Sequence, residues 1–133
     1  MNARAPFFLT QWVARRMIDE GVRGCVVNIA SIAGTAGSST TDYGGTKAAV
    51  INLTRSLAKP LGRHGIRVNA VSPGTVNTAL GERVPKELRE RLVQGTALGR
   101  AAEPDEIASV VEFLASENAG YITGANVDVN GGM

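Results

Sequence analysis

The chain has one cysteine and one histidine, Cys25 and His64, so no internal disulfide can form and no metal centre is expected. A single free thiol fits a reducing compartment, and the cytoplasm is the expected location. Aromatic residues make up only 5% of the sequence, and the net charge is +2. Arg15 and Arg16 are the only adjacent basic pair. Nucleic-acid binding calls for clustered cations, preferably interleaved with stacking rings, and is not expected. No apolar run approaches the ~20 residues that span a bilayer, so no membrane partner is expected. The N-terminus lacks a basic segment leading into an apolar stretch, and no export signal is expected.

What is present reads as a single unit over residues 1–133, with 44% hydrophobic and 20% charged residues, an ordinary globular composition. Residues 6–20 carry a helical stripe of Leu9, Val13 and Met17, with Phe8 and Trp12 beside it; Trp12 and the phenylalanines read as core. Residues 25–29 form a short apolar run of the kind that makes a buried strand. A loop rich in Gly, Ser and Thr follows, then a long helix from about Thr41 to Gly62. That helix has two apolar sides, Val50-Leu53-Leu57-Leu61 and Ala48-Ile51-Ala58, and so needs cover on both. Residues 66–71 form a second strand, stopped by Ser72-Pro73-Gly74. Pro85 and Pro104 each open a further helix at a position where the missing N–H costs nothing. Residues 126–129 form a last strand. Helices alternating with strands predict an α/β fold with a parallel sheet.

Tyr43 and Lys47 stand four residues apart, which on a helix places a phenol and an ammonium on one face. Free phenols lose their proton only near pH ~10. A neighbouring cation stabilises the phenolate, and a phenol so placed can exchange a proton with a carbonyl or alcohol. Alone, the spacing also fits a solvated helix face. Ser31 follows the first strand, at the edge of an open α/β sheet where ligands bind. Its hydroxyl could hold a substrate oxygen against Tyr43, or simply cap a turn. The second strand ends nearby in the sequence pattern, at Pro73-Gly74-Thr75-Val76-Asn77-Thr78.

Ser31 followed by Tyr43-x-x-x-Lys47 resembles the active-site signature of the short-chain dehydrogenase/reductase family. The segments 2–11, 66–74 and 123–132 are similar to other blocks of that family, in order, so the resemblance covers practically the whole chain. Its nearest type is the 3-oxoacyl-acyl-carrier-protein reductase. The resemblance implies an NAD- or NADP-dependent oxidoreductase that passes hydride between the nicotinamide and a small-molecule carbonyl or secondary alcohol. Tyr43 would be the general acid/base, and Lys47 would support it and hold the nicotinamide ribose. Ser31 would orient the substrate, Asn2 would support a water relay behind Lys47, and Pro73, Gly74, Val76 and Thr78 would line the nicotinamide carboxamide. It also implies a homo-oligomer, or docking on related subunits, through helices 6–20 and 43–61.

One block of the family pattern is missing from these residues. No G-x-x-x-G-x-G or G-x-G-x-x-G turn precedes the first helix, and Gly44-Gly45-Thr46-Lys47 lacks the order of a phosphate loop. The expected fold is therefore the second half of a Rossmann-like parallel sheet, with three strands equivalent to strands 5, 6 and 7, flanking helices and no first half. Residues 26–29 would then form an open sheet edge. Two readings remain open at this level: an oxidoreductase whose activity in the 133-residue chain alone is doubtful, and a catalytically inactive remnant serving as an oligomerisation or interaction module.

Overall fold

A computed structural model describes residues 3–133. The elements in chain order are helix α1 (Arg4–Asp19), strand β1 (Gly24–Ile29), helix α2 (Thr41–Gly62), strand β2 (Ile66–Pro73), helix α3 (Lys86–Gln94), helix α4 (Pro104–Ala115) and strand β3 (Asn126–Val129). A short 3₁₀ turn, Ile32–Gly34, lies between β1 and α2. The three strands form one sheet in the order β1-β2-β3, and both pairings are parallel. Gly24 pairs with Ile66 and Ile29 with Val71, while Ala70 pairs with Asn126 and Pro73 with Val129. All strands therefore end at one edge, and β1 is an outer strand of the described sheet.

Alternation along the strands sorts the core into two layers, because successive side chains leave opposite faces of a sheet. Val26, Ile66 and Val68 meet Ala14, Met17 and Ile18 of α1 and Leu57 and Leu61 of α2. Ala70 joins Val50 and Ile51 on the same face. On the other face, Val27 and Val71 meet Leu114, Val110 and Ile107 of α4. Helices thus cover both faces of a sheet whose central strand is almost wholly buried. β2 runs two residues past the expected Val71, because its pairing with β3 continues through Ser72 and Pro73.

Two polar side chains of the central strand are paired with backbone groups. Asn69 is fully buried; its amide donates to the Ile122 carbonyl at 2.9 Å and its carbonyl accepts from Ala125 N–H at 3.1 Å. Arg67 donates to the carbonyls of Leu114 at 2.8 Å and Ser116 at 3.0 Å. A guanidinium there satisfies carbonyls left free at the end of α4 and complements the negative end of its dipole.

The aromatic residues correct the sequence reading. Phe8 is 53% exposed and Trp12 60%, and Phe7 and Phe113 are also exposed. The face of α1 that enters the core is Thr10, Ala14, Met17 and Ile18. A stripe at helical spacing says that one side is apolar, not which side the sheet will cover, and here Phe8 and Trp12 lie away from it. Arg4 and Arg16 lie over these two rings, at 5.7 and 5.9 Å from the centroids. Cys25, expected as a small core residue, is half-buried, with Sγ 3.7 Å from the Ala115 carbonyl oxygen.

Candidate active site

Helix α2 is fixed to β1 by a buried polar pair. Asn28 Nδ2 donates to Thr54 Oγ1 at 3.0 Å, and that hydroxyl donates to the Val50 carbonyl at 2.9 Å. Both side chains are buried, so the pair satisfies groups that would be costly to leave alone. The contact sets the height of α2 along the sheet three residues before Ser31. The N-terminal turn of the helix, with Asp42 in it, then projects beyond the strand ends.

The chain leaving β1 crosses α2 at close range. A β-carbon on Gly34 would lie 2.7 Å from both the amide nitrogen of Ala48 and the carbonyl carbon of Lys47. One on Gly44 would lie 3.0 Å from the Ala33 carbonyl oxygen. The segment after Ser31 is therefore seated against the stretch of α2 that carries Tyr43 and Lys47, and glycine on each side makes this approach possible.

Lys47 Nζ donates to the Ile29 carbonyl at 2.8 Å, on the last residue of β1, and lies 5.7 Å from the centroid of the Tyr43 ring. An ammonium has three donors, so two remain for other acceptors. Tyr43 is 36% exposed, leaving its ring open to the sheet edge and to solvent. Ser31, half-buried, accepts from Ala33 N–H at 3.2 Å and starts the 3₁₀ turn. The capping role anticipated for Ser31 is thus real. A hydroxyl keeps its own proton and a second lone pair while accepting one bond, so capping leaves it able to bind another group.

The second group of candidates lies at the end of the neighbouring strand. Pro73 pairs with Val129, and Gly74 N–H donates to the Val129 carbonyl at 3.0 Å. Val76 bridges to Ala102, and Asn77 N–H donates to the Ala102 carbonyl at 2.8 Å. Thr78 is exposed, and its hydroxyl accepts from Gly81 N–H at 3.1 Å. Because β1 and β2 are adjacent and parallel, this segment and the Ser31–Lys47 group emerge at the same sheet edge. Asn2 lies outside the described residues. Tyr43 and Lys47 are brought together at the end of β1, the strand that Ser31 follows, with 73–78 on the next strand end. The Asn28–Thr54 pair escaped the sequence reading, although an asparagine inside an apolar strand was a usable signal for it.

Lys47 thus offers spare donors beside a phenol, and the half-buried segment 73–77 ends the neighbouring strand. Among the described residues no group of three or more His, Cys, Asp or Glu side chains could hold a metal ion, and no helix is long and apolar enough to cross a membrane.

The family model described as Enoyl-(Acyl carrier protein) reductase matches residues 1–133. The chain belongs to the short-chain dehydrogenase/reductase family. It is 42% identical over 134 residues to the (3R)-3-hydroxyacyl-CoA dehydrogenase of Rattus norvegicus, covering 100% of this chain and 52% of that protein. It is 39% identical to the 3-oxoacyl-[acyl-carrier-protein] reductase of Thermotoga maritima, covering 100% of this chain and 54% of that one. Among solved structures, a 4-hydroxyisoleucine dehydrogenase mutant complexed with NADH and succinate superposes with a TM-score of 0.92 at 36% identity, covering 98% of this chain and 55% of its own. The chain spans about half the length of these relatives. Its three parallel strands with helices on both faces match part of the Rossmann-like sheet of this family, as the sequence blocks implied.

Proposed function

We propose that this chain supplies the nicotinamide-side catalytic part of an NAD- or NADP-dependent oxidoreductase acting on a carbonyl or secondary alcohol. The observation that carries the reading is the seating of Lys47: its ammonium is tied to the carbonyl of Ile29, two residues before Ser31, and stands beside the Tyr43 ring. When bound, the nicotinamide supplies or accepts the hydride. Ser31 holds the substrate oxygen by a hydrogen bond, and the Tyr43 hydroxyl gives that oxygen a proton during reduction or takes one during oxidation. Lys47 stabilises the phenolate left after proton donation and, with its spare donors, holds the ribose hydroxyls. Pro73, Gly74, Val76 and Thr78 line the carboxamide side. Asn2 is assigned to the water relay behind Lys47.

The experiment is a spectrophotometric assay of NADH and NADPH oxidation with a 3-oxoacyl thioester, after the substrate in the name of the Thermotoga maritima relative, and with a simple diketone. It is run on the 133-residue chain and on the chain preceded by a glycine-rich strand-turn-helix half. Turnover is expected in the joined form and little or none in the 133-residue chain. Absence of turnover and of cofactor binding in both forms counts against the enzyme and for the second reading, a non-catalytic interaction module.

Association has its own support in either case. Phe8, Leu9 and Trp12 of α1 are 53%, 63% and 60% exposed, three large apolar side chains within two turns of one helix. Beside them α2 exposes Ala48, Ala49 and Asn52, which permit close approach of another helix. We infer that a second copy of the chain, or a related subunit, covers helices 6–20 and 43–61. Light scattering at micromolar concentration is expected to give a dimer or larger; a monodisperse monomer rules out self-association.

A further inference from the structure

Helix α3 is weakly anchored by apolar contact. None of its residues is fully buried, and a cavity of about 490 Å³ separates much of it from the loop before α4. Polar groups span that gap. Arg89 Nη2 donates to Asn77 Oδ1 at 2.5 Å, and Asn77 Nδ2 donates in turn to the Glu103 carboxylate. Glu103 is itself fixed, because its N–H donates to Glu106 Oε2 at 2.8 Å and Glu106 is held by Arg100 through two bonds of 2.6 Å. The Arg100 guanidinium, together with the Glu103 N–H, pulls the Glu106 carboxyl down to about 2, so this anchor stays ionised through the neutral range.

Asn77 is thus the joint of a chain running from α3 to the first turn of α4. Its identity matters chemically. Arg89 can only donate and a carboxylate can only accept, so the residue between them must accept on one side and donate on the other, which an amide does. An aspartate would satisfy Arg89 but set two carboxylates against each other. Asn77 also lies between Val76 and Thr78, and its backbone is clamped to Ala102.

We propose that Asn77 is a positioning residue whose amide ties α3 to α4 and thereby holds the Val76–Thr78 segment in place for the nicotinamide carboxamide. The tie itself stands on the geometry; its consequence for cofactor binding rests on the oxidoreductase reading.

Hydrogen exchange by mass spectrometry on the 133-residue chain tests the tie. Asn77→Leu removes both the acceptor for Arg89 and the donor for Glu103, and is expected to speed exchange of the α3 amides about 10- to 100-fold, as fits the loss of a charge-assisted hydrogen bond, with the β2 amides unchanged. Arg89→Met, on a helix with no buried residue, is expected to produce the same acceleration by cutting the α3 arm alone. Asn77→Asp keeps an acceptor for Arg89 and is expected to hold α3 exchange within about threefold of the parent, a retention that generic damage at this position would not give. Unchanged α3 exchange in Asn77→Leu or in Arg89→Met, or acceleration in Asn77→Asp that matches Asn77→Leu, overturns the tie. NAD(P)H affinity, read by nucleotide fluorescence in the joined form, is expected to fall in Asn77→Leu and in Asn77→Asp, and to recover when Glu103→Gln is added to Asn77→Asp and restores a donor opposite the new carboxylate. Exchange that follows this pattern with unaltered affinity overturns the link to the nicotinamide. If even the parent binds no nucleotide, the oxidoreductase reading fails, while the exchange data still decide the tie.

Discussion

Tyr43→Phe is expected to lower NAD(P)H-dependent carbonyl reduction by about 10²- to 10⁴-fold, the range for loss of a positioned proton donor. The substitution removes one oxygen and leaves the ring, so the packing of the α2 N-terminal turn against the segment after Ser31 is preserved. Asn28, Thr54 and the Lys47–Ile29 bond fix α2 without the phenol, and the fold has no reason to change. The loss therefore appears in kcat, with KM for the nucleotide moving little. Lys47→Ala is different in kind: it removes the charge that favours the phenolate and also the donors offered to the ribose, so kcat and nucleotide affinity fall together. Steady-state kinetics on the chain joined to a glycine-rich nucleotide-binding half separate the two. A Tyr43→Phe enzyme that keeps more than about a tenth of the parent rate would show that the proton comes from elsewhere.

The parts of the fold legible in the sequence were those set by local pattern. The limits of α2 were readable because Thr41 and Gly62 bound a long apolar periodicity, and β3 because the turn glycines 131 and 132 close it. Elements fixed by pairing were less legible. The extension of β2 to Pro73 depends on Val129, more than fifty residues away, and no local feature of Pro73 announces a strand. Pro85 was expected inside its helix and instead precedes it, with α3 beginning at Lys86. The orientation of α1 was hidden because which side of an apolar helix is covered depends on what packs there, and Trp12 is exposed as a result. The same distinction holds at the site. Ser31, Tyr43 and Lys47 could be grouped by spacing and by the strand end between them. Asn28–Thr54 and Arg89–Asn77–Glu103 are contacts between separate elements, formed only when the sheet and helices assemble; an asparagine in an apolar strand signals that Asn28 needs a partner, but not which residue supplies it.

The largest stability effect among single substitutions in the core is expected at Leu114. Its side chain has 0% exposure and lies with Val71 and Ala119, ringed by Val27, Ile107, Val110 and Val127, where α4 closes one face of the sheet. Leu114→Ala removes atoms from a site whose floor is the central strand and cannot collapse inward, so the cost combines lost transfer energy with an unfilled cavity, about 2–5 kcal/mol. The Leu114 carbonyl also accepts from Arg67, and a shift of α4 to fill the void would strain that bond. In urea the midpoint is expected to fall by roughly 1 M or more with an unchanged slope, because slopes for small proteins are about 1–3 kcal/mol per molar and the surface exposed on unfolding stays the same. Phe113 is the internal comparison. It is larger, but it is 45% exposed on the outer side of the same turn, so Phe113→Ala is expected to cost no more than about 1 kcal/mol. Equal losses at the two positions would mean that α4 presents a different face to the sheet. The N-terminal end of the same helix carries Glu103 and Glu106, so a rotated α4 would also misplace the anchor on which Asn77 depends, and the exchange pattern of α3 would change with it.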